Sequence, residues 1–480
     1  MCCLLLLSLR IPHIDEAHAY SIAAHTHLPD WIILPKYEGH FFLWFTCLKL
    51  VQWLPLAYPW DMYLLNWIVM GTAIYLLVFK SPFRALTKAL FAGSYALLSF
   101  YAAYSRCYSL LILCLFWICI LFPKRIQRPY LFFCGVFLLS QTCIMGTVAA
   151  IAFGLIWGVD LLTAWRKKQL AGRTVWVCAG LSILTGILLW IEIHGYRVPV
   201  YDLEAYLEHD IRVLPPWAWV ELVCFTLFGV LLHKNWRVVM WYILTVVGLL
   251  LIHFQVYSLE EWHFLLVFIF AIAALWLFDG KKYKKTACVL VCLLMVCSYL
   301  DFHHREGIFY YFKFPWYKRI VNENAQLLTQ STVFITTLHL SPVVPWLYKL
   351  QVTPYSVETG LELYSVQNVK LFHQMHSGWD AQIPYQKIKD RIDPSRPALL
   401  IGQRSEIPRI IYRGGDDRRF TFERLECASG GRKNMQPCIF RMIPDPDDRR
   451  RHETKFPQAK YVVPRESWYQ AHKGMPIEHS

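Results

Sequence analysis

The sequence predicts an α-helical polytopic membrane protein: about eleven transmembrane helices, one further helix lying in the membrane interface, and a C-terminal extracytoplasmic α/β domain. Three observations carry that expectation. The 480-residue chain is 56% hydrophobic, 16% aromatic and only 17% charged. Its apolar residues gather in blocks of roughly 15 to 20, the length that a bilayer-spanning helix needs. Much of its Lys and Arg falls in short runs between those blocks, where the positive-inside rule places cytoplasmic loops. The formal charge of +14 therefore reads as loop charge, and nucleic acid is not an expected partner.

In order, the apolar blocks lie at about 63–79, 88–104, 108–122, 131–147, 148–164, 174–194, 217–233, 238–256, 262–278 and 286–300. The opening stretch, Met1–Arg10, is too short to span and lacks the small-residue cleavage site of a signal peptide, so it reads as a truncated or partial helix. Five basic runs separate the blocks: "KSPFRALTK" (80–88), "PKRIQRPY" (123–130), "WRKKQLAGRT" (165–174), "HKNWR" (233–237) and "DGKKYKK" (279–285). Placing all five in the cytoplasm leaves two blocks between each neighbouring pair, so the parity is self-consistent. The last block then exits on the outer face and carries residues 301–480 with it.

The same parity puts Trp60 and Asp61 outside. The apolar segment 40–60 carries Lys49 and Gln52 near its middle and ends in Pro and aromatic residues, the pattern of an interfacial helix on the outer surface. Domain boundaries follow: a membrane domain over 1–300 with a long first outer loop (12–60), an α/β domain over 301–445, and a charged, loosely ordered tail over 446–480. In the α/β domain, strands are expected at 331–340, 396–403 and 438–443, and a helix at 384–392. Cys107, Cys114, Cys119, Cys134 and Cys143 sit inside apolar blocks and read as small packed hydrophobes. Cys427 and Cys438 flank a Gly-Gly turn, and a disulfide there fits an extracytoplasmic tail.

Chemistry concentrates in the segments assigned to the outer face. "IPHIDEAHAYSIAAH" (11–25) sets Asp15 and Glu16 side by side just past the first apolar stretch. A carboxylate at a bilayer margin is costly unless paired or hydrated, and activating a hydroxyl needs such a base. The competing reading is the first turn of a short helix, where acidic residues offset the helix dipole. Arg106, Lys36, His40, Arg197 and His263 form a basic outer set able to bind phosphate, an arginine doing so bidentately. Snorkelling to lipid headgroups is the alternative for Arg106, Arg197 and Lys36. His13, His18, His25 and His27 match no metal-ligand spacing and read as surface histidines. Asp202, Glu204, Glu208 and Asp210 read as the polar face of an amphipathic surface helix.

"DEAHAYSIA" (15–23), "YEGHFFLWF" (37–45) and "SRCYSLL" (105–111), taken in that order and on that side of the membrane, resemble the C-type (GT-C) superfamily of polytopic glycosyltransferases. Protein O-mannosyltransferases and aminoarabinose transferases belong to it. The resemblance covers roughly the first 300 residues. It implies transfer of a sugar from a polyprenyl-phosphate-linked donor to a glycan, lipid or protein acceptor hydroxyl on the outer membrane face, with inversion. It implies Asp15 as general base with Glu16 beside it, and Arg106 and His40 at the donor phosphate, where Lys36 and His263 of the basic outer set would join them. Tyr20, Tyr108 and Glu38, within or next to the motifs, are the implied sugar or acceptor contacts. Some members need a divalent cation and others do not, so none is assigned. Two departures stand out. The Pro-Pro pair of the family's second motif is Phe41-Phe42 here, and Glu261-Trp262-His263 replaces the basic pair expected at the start of a late outer helix. A lipid-linked sugar transporter, or a catalytically silent protein of the same fold, are the alternatives.

Overall fold

The computed structural model describes residues 12, 14–34, 40–194, 235–253, 261–278, 285, 288, 289, 291, 316–335, 343–356, 391, 392, 395–403, 421–427 and 437–443. Its described elements begin with α1 (Ile14–His25), α2 (Leu28–Ile33), α3 (Phe42–Val51), α4 (Trp60–Lys80) and α5 (Ala85–Ala92). A π-helix (Tyr95–Tyr101) comes next, then α6 (Tyr108–Leu121), α7 (Pro129–Ser140), α8 (Ile144–Arg166), α9 (Gly172–Ile193), α10 (Trp236–Leu251) and α11 (Glu261–Leu277). The remaining described elements are α12 (Trp316–Glu323), α13 (Ala325–Thr329), β1 (Thr332–Ile335), α14 (Val344–Lys349), β2 (Tyr355–Ser356), β3 (Ala398–Gln403), β4 (Thr421–Cys427) and β5 (Pro437–Ile443). They fall into two compact units, with α2 to α11 in the first and α1 with α12 onward in the second.

Among the described residues of the first unit, three helices are long and apolar enough to cross a membrane: α4, α8 and α9. Only 11% of the apolar stretch of α9 is buried, and Trp176, Ile183, Leu184 and Trp190 stand exposed along it. A surface that apolar is stable against lipid and not against water. The count corrects the expectation of eleven spans. The apolar blocks become helices, but several are too short: α6 has 14 residues, α10 has 16 and α11 has 17. At about 1.5 Å per residue these reach about 21 to 26 Å, short of the ~30 Å hydrocarbon core. Block 88–104 is broken at Gly93-Ser94 into α5 and the π-helix, with the Ser94 hydroxyl accepting from the Leu97 N–H. Blocks 217–233 and most of 286–300 lie outside the described residues, as does Met1–Arg10.

Another boundary moves for a chemical reason. Hydropathy divides 131–164 at 147/148, whereas the chain turns at Gln141–Cys143. There the Thr142 hydroxyl donates to the Leu139 carbonyl and the Thr147 hydroxyl to the Ser140 carbonyl, capping the end of α7. A Cβ at Gly146 would collide with Thr142 and the Leu139 carbonyl, so only glycine lets α8 start so close to this turn. Gly248 does the same for α10, which lies against Val148 of α8. Trp241 fixes that pair by donating to the Ala149 carbonyl and stacking on Phe153 at 4.6 Å.

The segment 40–60 holds a ten-residue helix, α3, far too short to span. Pro55 and Pro59 keep the following turn from joining it to α4.

At the end of the helices where the basic runs lie, Asp160 of α8 is 5% exposed and accepts from two arginines. Arg125 Nε is 2.7 Å away and Arg125 Nη2 2.6 Å, while Arg237 Nε is 2.7 Å from the other oxygen. Arg125 also donates to the Phe122 carbonyl. One carboxylate thus ties α8, the start of α10 and the loop between α6 and α7.

The second unit is built on a five-stranded mixed sheet in the order β2-β1-β3-β5-β4. β1 runs parallel to β2 and β3, and β5 runs antiparallel to β3 and β4. Val333, Phe334 and Ile335 of β1 and Leu399, Leu400 and Ile401 of β3 are all buried, the continuous apolar run of a strand covered on both faces. The sequence anticipates β1, β3 and β5. It misses β4, "TFERLEC", because charged residues at an edge mask the strand pattern. Cys438 is disulfide-bonded and stands opposite Cys427 in the β4–β5 ladder, where the sequence expects the bridge. Helix α14 packs on α1, and the rings of His25 and Tyr348 lie 3.6 Å apart. The expected helix at 384–392 falls almost wholly outside the described residues, and the tail at 446–480 entirely so.

Removing one side of a buried ion pair strands the other, so Asp160→Ala should destabilise the first unit by about 3 kcal/mol. Arg237→Ala, whose guanidinium is the more exposed of the two, should cost about 1 kcal/mol. Thermal unfolding in detergent or nanodiscs measures both; equal costs would mean that Asp160 does not bridge the two arginines.

Candidate functional site

The π-helix delivers the chain to Tyr104-Ser105-Arg106-Cys107-Tyr108. Its C-terminal carbonyls would be left unsatisfied inside the unit, but Asn66 of α4, fully buried, donates its amide to the carbonyls of both Tyr101 and Ala102 at 3.0 Å. The turn after it is held by the Arg106 N–H to the Tyr104 carbonyl at 2.8 Å and by the Ser109 hydroxyl to the Arg106 carbonyl at 3.0 Å. Arg106 therefore projects from a fixed backbone just before α6 begins. π-helical turns recur at such places because they re-aim the residues that follow.

The Arg106 side chain is 8% exposed. Its Nη2 lies 2.8 Å from His40 Nε2, and Nη1 donates to the Tyr104 hydroxyl at 3.4 Å. The guanidinium carbon sits 5.6 Å and 5.4 Å from the ring centres of Tyr104 and Tyr108, within cation–π range. Guanidinium has only donors, so His40 must accept at Nε2 and carry its proton on Nδ1. His40 is therefore the neutral group that aims Arg106, not a second cation beside it. The Tyr108 hydroxyl lies 2.7 Å from His263 Nε2, with the rings edge to face.

Four elements thus converge: the segment two residues before α3, the turn before α6, the first residue of α6 and the third residue of α11. His40 is fixed by an isolated bridge to Cys143, and the Phe41 N–H donates to the Thr142 carbonyl at 3.5 Å. A proline at position 41 would lack that N–H.

Of the residues singled out in the sequence, Arg106, His40, Tyr108 and His263 come together in the first unit. Asp15 and Glu16 occupy the first turn of α1 in the second unit, Glu16 buried and Asp15 half-buried. Tyr20 lies on the same helix, half-buried. Lys36, Glu38, Arg197, Asp202, Glu204, Glu208, Asp210 and His13 lie outside the described residues. His18 is buried in α1, which corrects its reading as a surface histidine, His25 lies against the Tyr348 ring in a tilted arrangement, and His27 forms a capping box with Asp30 at the start of α2. Among the described residues, no group of three or more His, Cys, Asp or Glu side chains is placed to hold a metal ion.

Sequence reasoning missed Tyr104, which helps hold the guanidinium, and Asn66, which holds the turn. An asparagine in an apolar block is the only signal either left. Comparison with models of protein families, with curated proteins and with solved structures finds no match.

Asn66→Leu should leave the Tyr101 and Ala102 carbonyls buried without that donor and cost about 2–3 kcal/mol. Thermal unfolding tests this; a variant as stable as the parent would mean that water replaces the amide and that Asn66 does not hold the turn.

Proposed function

We propose that the protein is a multi-pass membrane glycosyltransferase of the C-type architecture, moving a sugar from a polyprenyl-phosphate donor to an acceptor hydroxyl on the outer face of the membrane. The observation that carries this reading is Arg106: a permanently charged guanidinium, nearly buried among apolar helices and aimed by a neutral histidine. It lies at the end of the first unit away from Arg125, Asp160 and Arg237, whose basic end faces the cytoplasm in this reading.

The donor is a phosphodiester with one negative charge. When the acceptor oxygen bonds to the anomeric carbon and the carbon–oxygen bond to phosphate breaks, polyprenyl phosphate leaves with a second charge. Arg106 meets that developing charge with N–H groups already oriented, which is worth most where water is excluded. The Tyr108–His263 pair keeps the base of the site in place. Asp15 takes the acceptor proton and Glu16 orients the acceptor, assignments that rest on the resemblance of "DEAHAYSIA". A transporter would need ionisable groups along a path through the helices, whereas Asp160 is taken up by its two arginines at the basic end.

With the purified protein in nanodiscs and a panel of undecaprenyl-phosphate sugars, Arg106→Ala should lower turnover by about 10²- to 10³-fold. Asp15→Asn should lower it by about 10²- to 10⁴-fold while donor still binds. Unchanged turnover in Asp15→Asn would remove it as the base. Unchanged surface glycans and glycolipids on deleting the gene under expressing conditions, read by mass spectrometry, would count against transfer altogether.

A further inference from the structure

Glu192 lies one residue before the end of α9, and none of its surface is exposed. Neither of its carboxylate oxygens has a hydrogen-bond partner among the described residues. Its polar neighbour is Gln141, at the turn between α7 and α8, likewise fully buried, with both carboxamide atoms unpartnered among the described residues. The two side chains lie beside each other without a hydrogen bond of good geometry between them. Leaving so many polar atoms unmet inside an apolar unit is costly, and such groups call for a functional explanation, a bound ligand's hydroxyls being one that would supply the missing partners.

The position of the pair says which ligand. Gln141 is two residues from Cys143, whose backbone bridges His40, and His40 Nε2 is 2.8 Å from Arg106. The pair is thus tied through one short backbone segment to the guanidinium. Its donor and acceptor set is that of an uncharged polyol site: the carboxylate accepts from two adjacent hydroxyls, and the carboxamide both donates and accepts. A divalent cation would need more oxygen ligands than one carboxylate and one amide provide.

We propose that Glu192 and Gln141 form the subsite that binds neighbouring hydroxyls of the donor's sugar, an inference that rests on the transferase reading. Undecaprenyl phosphate, bare or carrying mannose, glucose or arabinose, serves as the probe, with the full-length protein in nanodiscs. At least one sugar-bearing lipid should bind about tenfold more tightly than the bare lipid, and Glu192→Gln and Gln141→Ala should each abolish most of that preference without changing affinity for the bare lipid. Glu192→Leu should lose the preference and yet melt at a higher temperature, because it removes a buried polar group that the free protein leaves unmet. Full preference in both Glu192→Gln and Gln141→Ala overturns the subsite, and so does a lower melting temperature for Glu192→Leu. Binding of bare lipid with no preference for any sugar overturns it too, leaving the phosphate reading of Arg106 standing. Failure of the parent to bind any of these lipids overturns both.

Discussion

An arginine cannot shed its charge inside a protein, so wherever one is buried its N–H groups must be met by acceptors or aromatic faces. Arg106 is met by His40, the Tyr104 hydroxyl and the faces of Tyr104 and Tyr108. Each of these is supplied by a different segment or turn, and each segment is fixed in its own way: His40 through Cys143, Tyr104 and Arg106 through Asn66 and the π-helix, Tyr108 through His263. The requirement that one guanidinium be accommodated therefore constrains α3, α4, α6, α8 and α11 together. It also accounts for several sequence details that hydropathy leaves unexplained, an asparagine in the middle of an apolar helix among them.

The far end of the same unit solves the converse problem. There a buried carboxylate, Asp160, is met by two arginines that remain partly exposed. Both ends use ion pairing or charge-assisted bonds to join helices whose apolar faces alone give no preferred register, since van der Waals packing against lipid resembles packing against another helix. Close contacts at Gly146 and Gly248 then set how near α8 comes to its neighbours. Glu192 and Gln141 stand apart from this pattern. They are buried polar groups left unmet, and that imbalance separates them from the residues that hold the helices together.

How much of this was legible depends on the range of the interaction involved. Helices α4 and α9 match their apolar blocks almost residue for residue, and α3 was recognisable as too short to span because its lysine and the prolines after it are local signals. The count of membrane-crossing helices failed because hydropathy sees block length and not where a π-helix or a hydroxyl cap interrupts the chain, as at Ser94 and Thr142. In the second unit, buried strands β1 and β3 announced themselves by unbroken apolar runs, while edge strand β4 was hidden by its charges. The site was half visible: Arg106, His40 and His263 were grouped with Lys36 and Arg197 as a basic set and Tyr108 was named apart from them, while the pairing of Tyr108 with His263 and the part of Tyr104 left no local signal.

Composition and periodicity, being properties of neighbouring residues, by themselves determined that this chain forms apolar helices joined by basic loops and carries a small sheet toward its C-terminus. Only the tertiary structure decided that residue 40 accepts from residue 106 while residue 108 meets residue 263, and that residue 192 is buried beside residue 141 instead of lying at a solvated helix end. Those pairings join positions tens of residues apart or more, and the free energy that selects them, the cost of leaving polar groups unmet in an apolar interior, exists only once the helices have come together.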